Sequence, residues 1–218
     1  MAQFKACIPG RVELLVSKKL NSAGDFFNAT TMNLFILYPE PKAAAQAHAD
    51  KHVVKMILEA CQMLYTAHWT AAHRELIHKK KKMPLPTTME TAPCKKNSEM
   101  RGYLAAHINH PCTKWIRVSL DNYMFACELA IALGEEYTFR YRKVHSCMAH
   151  ALWLKENPPA LAALGLLPFA VAMDNEYKIS DDAIECYRHY YLTAKKELLT
   201  YTRREPPAFI KFFILNNQ

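Results

Sequence analysis

The stretch PKAAAQAHADKHVVKMILEACQMLYTAH, residues 41–68, decides the fold of this chain. Proline suits the first turn of a helix, where its missing N–H has no intrahelical partner to lose, and the alanines at 43, 44, 45, 47 and 49 are strong helix formers. Behind them Val54, Ile57, Leu58, Cys61, Leu64, Tyr65 and His68 recur at steps of three and four, the spacing of one helix face turned toward a core. The reading is one long helix that starts at Pro41 and extends as far as His78.

Upstream, residues 33–38 (NLFILY) form a short apolar run ended by Pro39, which reads as a buried strand or an extended arm. Residues 1–31 mix charges with Pro9-Gly10 and a turn at 21–24 and show no periodicity, so they read as an appendage, with disorder one outcome. Downstream, residues 79–99 hold Lys79 to Lys82, Pro84, Pro86, Pro93 and Lys95-Lys96, the composition of an exposed basic loop. Across residues 74–101 eight Lys/Arg face three Glu, a local excess of five positive charges. A short helix is expected over 100–108, broken by Asn109-His110-Pro111. Ser119 is a good N-cap for a helix to about Arg140. Another helix is expected over 144–156, stopped by Asn157-Pro158-Pro159, and a last one from Ser180 to about Arg203, with 211–218 as a tail. The sum is an all-α, single-domain helical bundle over 32–210 with a short extended N-terminal segment.

Composition agrees. Five glycines in 218 residues are too few for the many tight turns of an all-β protein, and 51% hydrophobic residues suffice for a full core. The formal charge of +8 attracts polyanions, nucleic acid before acidic membrane, and DNA is the expected partner. The longest apolar run, residues 160–173, is interrupted by Gly165 and Pro168 and is too short to cross a bilayer, so no membrane partner is expected. Seven cysteines, an odd number without a C-x-x-C pair or a secretory signal, point to a reducing intracellular compartment.

The chemistry-bearing pattern is polar where packing calls for apolar. His48, His52, Lys55, Glu59 and Gln62 are spaced +4, +3, +4 and +3, one strip of a continuous helix, with Lys51 beside it. As an exposed face it is an ordinary Lys55–Glu59 pair; facing a cleft, its groups shift one another's pKa values as acid/base work requires. His48-x-x-x-His52 also matches the spacing of two metal-ligating imidazoles. The segment with His110, Lys114, Trp115, Arg117 and Asn122, followed by Arg140, Tyr141, Lys143 and His145, interleaves cations with planar groups, which suits phosphate contact and base stacking. Arg188, Tyr191 and Lys195 form a second basic strip on the last helix. Phosphate-loop, dinucleotide and serine-hydrolase motifs are absent from the sequence.

Residues 32–210, with Asn33-Leu-Phe, the run His48 to Met56, Asn109-His-Pro-Cys-Thr-Lys-Trp115, Glu136-Tyr137, Arg140 to His145 and Tyr187-Arg-His-Tyr-Tyr191, resemble a family of uncharacterised phage and large-DNA-virus proteins. Their order is also distantly similar to the pyrimidine dimer DNA glycosylases. That resemblance implies an amine that attacks the sugar carbon under a damaged base, an assisting carboxylate and a Schiff-base intermediate. The family's amine is the chain N-terminus. The match here begins at Met32, so either a chain starting there supplies the amine or Lys51 or Lys55 takes its place, with Glu59 as the carboxylate. The functional expectation is a viral DNA repair or modification enzyme of glycosylase/lyase type, without a cofactor. In it His48 and His52 act as acid/base or orienting groups, and His110, Lys114, Trp115, Arg117, Asn122, Arg140, Tyr141, Lys143, His145, Arg188, Tyr191 and Lys195 meet nucleic acid. The alternatives are a metal-dependent enzyme with one transition-metal ion on His48 and His52, and a non-enzymatic DNA-binding or virion-associated protein.

Overall fold

The computed structural model describes residues 33–74 and 83–216. The chain divides into Met1–Thr31 and Met32–Gln218, and every described residue belongs to the second unit. The expected appendage over 1–31 and the lysines Lys79 to Lys82 lie outside the described residues.

The fold is mainly helical. Helices α1 (Pro41–Ala47), α2 (Asp50–Ala72), α3 (Pro111–Ile116), α4 (Leu120–Tyr141), α5 (Met148–Glu156), α6 (Ala183–Thr193) and α7 (Ala208–Asn216) are joined by loops and single 3₁₀ turns. Among the described residues the strand-like pairing is one isolated bridge, Cys94 to Arg101. Helices α2 and α4 run antiparallel through the centre: Asp50 meets Arg140, Ile57 approaches Gly134, and His68 meets Tyr123. Gly134 permits this approach, since a Cβ there would stand 3.0 Å from Ile57 Cδ1 and 2.6 Å from Met148 Sδ. Residues 34–37 are buried without pairing into a strand, the arm of the two sequence readings.

Several boundaries differ from expectation for identifiable reasons. The long helix from Pro41 breaks at His48 and Ala49, both extended, with ψ of 137° and 156°. The break is stable because α1's last carbonyls find partners elsewhere: His48 Nδ1–H donates to Ala44, Arg140 to Gln46 and Tyr201 O–H to Ala47. Helix α2 then ends at Ala72, not His78. No helix forms over 100–108, where Gly102 (φ +64°) and His107 (φ +48°) take left-handed conformations and the carbonyls of Tyr103 and Ala106 accept from Trp69 and Thr66. The segment after Lys82 is not wholly an exposed loop, because Met89 and Ala92 are fully buried beside α2.

Ser119 caps α4 as expected, its hydroxyl accepting from the Asp121 N–H. For α5 the start moves to Met148, and for α6 the cap is Asp182 instead of Ser180, with the helix ending at Thr193. Residues 211–216, expected as tail, are part of α7, anchored by fully buried Ile210. Among the described residues no helix is long and apolar enough to cross a membrane.

Candidate active site

The first half of α2 carries the polar strip, and the structure divides it. His48, His52 and Glu59 are buried, Gln62 is half-buried, and Lys51 and Lys55 face solvent. Instead of facing an open cleft, as the acid/base reading required, the buried members are roofed by the 33–37 arm and by α6. His48, outside α2 because of the break, is not in helical register with His52, yet the two rings lie 6.5 Å apart at near right angles. Phe35 stacks on His52 at 4.7 Å, and His52 Nδ1 is hydrogen-bonded to Tyr191 O–H.

Glu59 is the centre of this cluster. One carboxylate oxygen accepts from the backbone N–H of Asn33 at 3.0 Å, and the other pairs with Lys55 Nζ at 2.8 Å. Two nitrogens thus converge on one carboxylate whose side chain is 6% exposed, while the Lys55 side chain is 51% exposed. Asn33 is itself fixed in place: Nδ2 donates to Ala172, and Oδ1 accepts from Leu34 N–H, from Tyr187 O–H at 2.9 Å and from Cys112 S–H. Asn33, Cys112 and Tyr187 were missed as site residues by sequence reasoning. Twenty-six residues separate Asn33 from Glu59, and the available sign was the position of Asn33 at the head of the apolar run.

Burial sets the protonation of the imidazoles. It pulls His48 from 6.5 down to about 4 against the opposing pull of the Ala44 hydrogen bond. It takes His52 to about 3, helped by the positive potential of His48, Lys195 and Lys55. Both rings are neutral near pH 7, which suits orienting groups better than proton donors. Each ring has Nδ1 engaged, by Ala44 and by Tyr191, which leaves Nε2 as the nitrogen open to a ligand, and that of His48 is buried without a hydrogen-bond partner. Among the described residues no group of three or more His, Cys, Asp or Glu is arranged to hold a metal ion.

The residues expected to meet nucleic acid separate into two sets. Arg140 is not one of them. It is fully buried, with Nε on Glu136 at 2.6 Å, Nη1 on Asp50 at 2.9 Å and Nη2 on the Gln46 carbonyl, and Arg204 completes the network on Glu136. Buried Asn122 bridges Trp115 and Leu167, Trp115 donates to the Leu167 carbonyl, and buried Tyr191 serves His52, so these three are structural as well. Their planar and amide groups are consumed by packing. Tyr141 donates to the Asp50 carbonyl, His110 caps α3 by accepting from Cys112 N–H, and His145 accepts from Cys147 N–H. Arg188 donates to the Leu37 carbonyl and lies 4.4 Å over Tyr38. Lys114 and Lys143 face solvent, Lys195 lies over Tyr190, and Arg117 lines a cavity at the far end of α2.

No protein-family model, curated protein or solved structure matches the chain.

Proposed function

We propose that this chain is a DNA-acting glycosylase/lyase in which Glu59 is the carboxylate and the attacking amine is one that Glu59 holds. The observation that carries the reading is the pair of nitrogens, Lys55 Nζ and Asn33 N, on the two oxygens of one buried carboxylate. In the chain as it stands, Lys55 is the amine of the pair. A chain beginning at Asn33 would place an α-amine on the same carboxylate, the arrangement that the resemblance to the pyrimidine dimer glycosylases implies.

The chemistry asks little more. A neutral amine forms a bond to C1′ of the deoxyribose while the bond to the base breaks, the base leaving with the electron pair. The carboxylate takes the proton that the nitrogen sheds and opposes the positive charge that develops on the sugar. Loss of the ring oxygen from C1′ then gives the Schiff base, from which strand cleavage by elimination can proceed. The target nucleotide must leave the stack to reach the site. Support for a DNA substrate comes from the net charge of +8, with Lys51, Lys55, Lys114 and Lys143 facing solvent.

Borohydride trapping on ultraviolet-irradiated and undamaged duplexes tests this, with the full chain and with a chain starting at Asn33. A covalent protein–DNA adduct is expected, and Glu59→Gln should reduce its rate by about a hundredfold or more. In the full chain Lys55→Met should abolish it; in the shortened chain it should not. Absence of any adduct from all four combinations of protein and DNA removes the proposal.

A further inference from the structure

A cavity of about 610 Å³ opens at the opposite end of α2 from Lys55, between that helix, the end of α3 and the segment around residue 160. Its wall includes Ala71, Arg74, Ile108, Arg117, Val118 and Leu161. Two of these six are arginines and none is acidic.

Arg117 is the informative one. It is the C-cap residue of α3 and is half-buried: its Nη1 is shielded from solvent with no hydrogen-bond partner, and the remainder of the side chain lines the cavity. Buried guanidinium donors without an acceptor are rare, because each N–H left unmade carries the full cost of removing it from water. Arg140, which is fully buried, has two carboxylates and a carbonyl around its guanidinium. At Arg117 the nearby charge is instead like-signed, Arg74, so both burial and repulsion weaken its hold on its proton. A second cation beside an unpartnered guanidinium is unfavourable for the empty cavity and favourable for one holding an anion. A phosphate oxygen fits the planar fork of an arginine, and Ile108, Val118 and Leu161 offer an apolar wall to the organic body that bears it.

We infer that this cavity is a phosphate-binding site, with Arg117 as the inner ligand and Arg74 as the outer one, for a phosphate carried on a nucleoside. Thr70, also on its wall, lies eleven residues from Glu59 on nearly the same face of α2, about 16 Å along the helix axis. The site is thus separate from the Glu59 carboxylate and stands whether or not that carboxylate performs chemistry. The phosphate can come from a free nucleotide or from a DNA terminus.

Isothermal titration of the full chain with deoxyadenosine, deoxyadenosine 5′-monophosphate, and a short oligonucleotide with and without a 5′-phosphate decides it. A phosphate-bearing probe should bind and its phosphate-free partner should not, which of the two pairs responds naming the source. Arg74→Gln, an exposed change that leaves the fold intact, should weaken binding about tenfold, and Arg117→Gln should remove it. The inference is overturned if neither phosphate-bearing probe binds, if phosphate makes no difference, or if Arg74→Gln binds as tightly as the unaltered protein. Trapping at Glu59 is not part of the readout, so the two proposals fail separately.

Discussion

Replacing Arg140 by methionine separates a structural arginine from a DNA-binding one. The side chain is completely buried, and the change removes three hydrogen bonds, to Glu136, Asp50 and the Gln46 carbonyl. It leaves Glu136, 3% exposed, with Arg204 as its ionic partner, and leaves Asp50 to the Thr202 backbone and hydroxyl. Breaking a buried ion pair from one side costs about 3–5 kcal/mol, because the remaining charge stays desolvated. Arg204 keeps two short bonds to Glu136, which puts the expected loss near the lower bound, about 3 kcal/mol. For a domain of this size that corresponds to a fall in Tm of roughly 6–12 °C. Urea unfolding should show the midpoint falling at unchanged slope. Under the proposed function, the salt dependence of DNA binding should not change, whereas Lys114→Gln or Lys143→Gln should each flatten its logarithmic slope by about one if that lysine meets a phosphate. A loss below about 1 kcal/mol, or a flattened salt slope for Arg140→Met, refutes the assignment of Arg140 to the core.

Burial holds His48 and His68 near 4 and His52 near 3, all below their unfolded value of 6.5, so the unfolded chain binds more protons as the pH drops below that value. Stability is full above about pH 7 and falls between 6.5 and 4; from pH 7.5 to 5.5, where carboxylates stay ionised, each histidine should account for about 1.4 kcal/mol, and urea midpoints that do not fall over this interval contradict the buried neutral rings. Gly102→Ala should destabilise by about 2–4 kcal/mol, since φ is +64° and the new Cβ would stand 2.7 Å from both Met89 and Tyr65. Gly165→Ala, at φ +75° but in open space, should cost only about 1 kcal/mol, and equal losses in thermal unfolding would show that the packing argument at Gly102 is wrong.

The helical class and the starts of α1 and α4 were local properties. Pro41 at a first turn, Ser119 followed by Asp121, and the three-and-four spacing from Val54 to Tyr65 act over a few residues, and they mark α1, α4 and the core face of α2 in any tertiary setting. Tertiary contacts decided what local signals cannot carry. The break at His48 depends on carbonyl partners supplied by Arg140 and Tyr201, about 90 and 150 residues away. The helix-free course of 100–108 depends on Thr66 and Trp69 claiming its carbonyls. Arg140 illustrates the difference most directly: near a helix C-terminus its charge is favourable exposed or buried, so the sequence was neutral on its role, and Glu136 with Asp50 made it core. In the same way, Lys55–Glu59 was legible as an i,i+4 pair, but the second nitrogen on Glu59 belongs to Asn33. Only the folding of the arm across α2 brings it there, and a hydrogen bond between residues so far apart leaves no periodic trace in the chain.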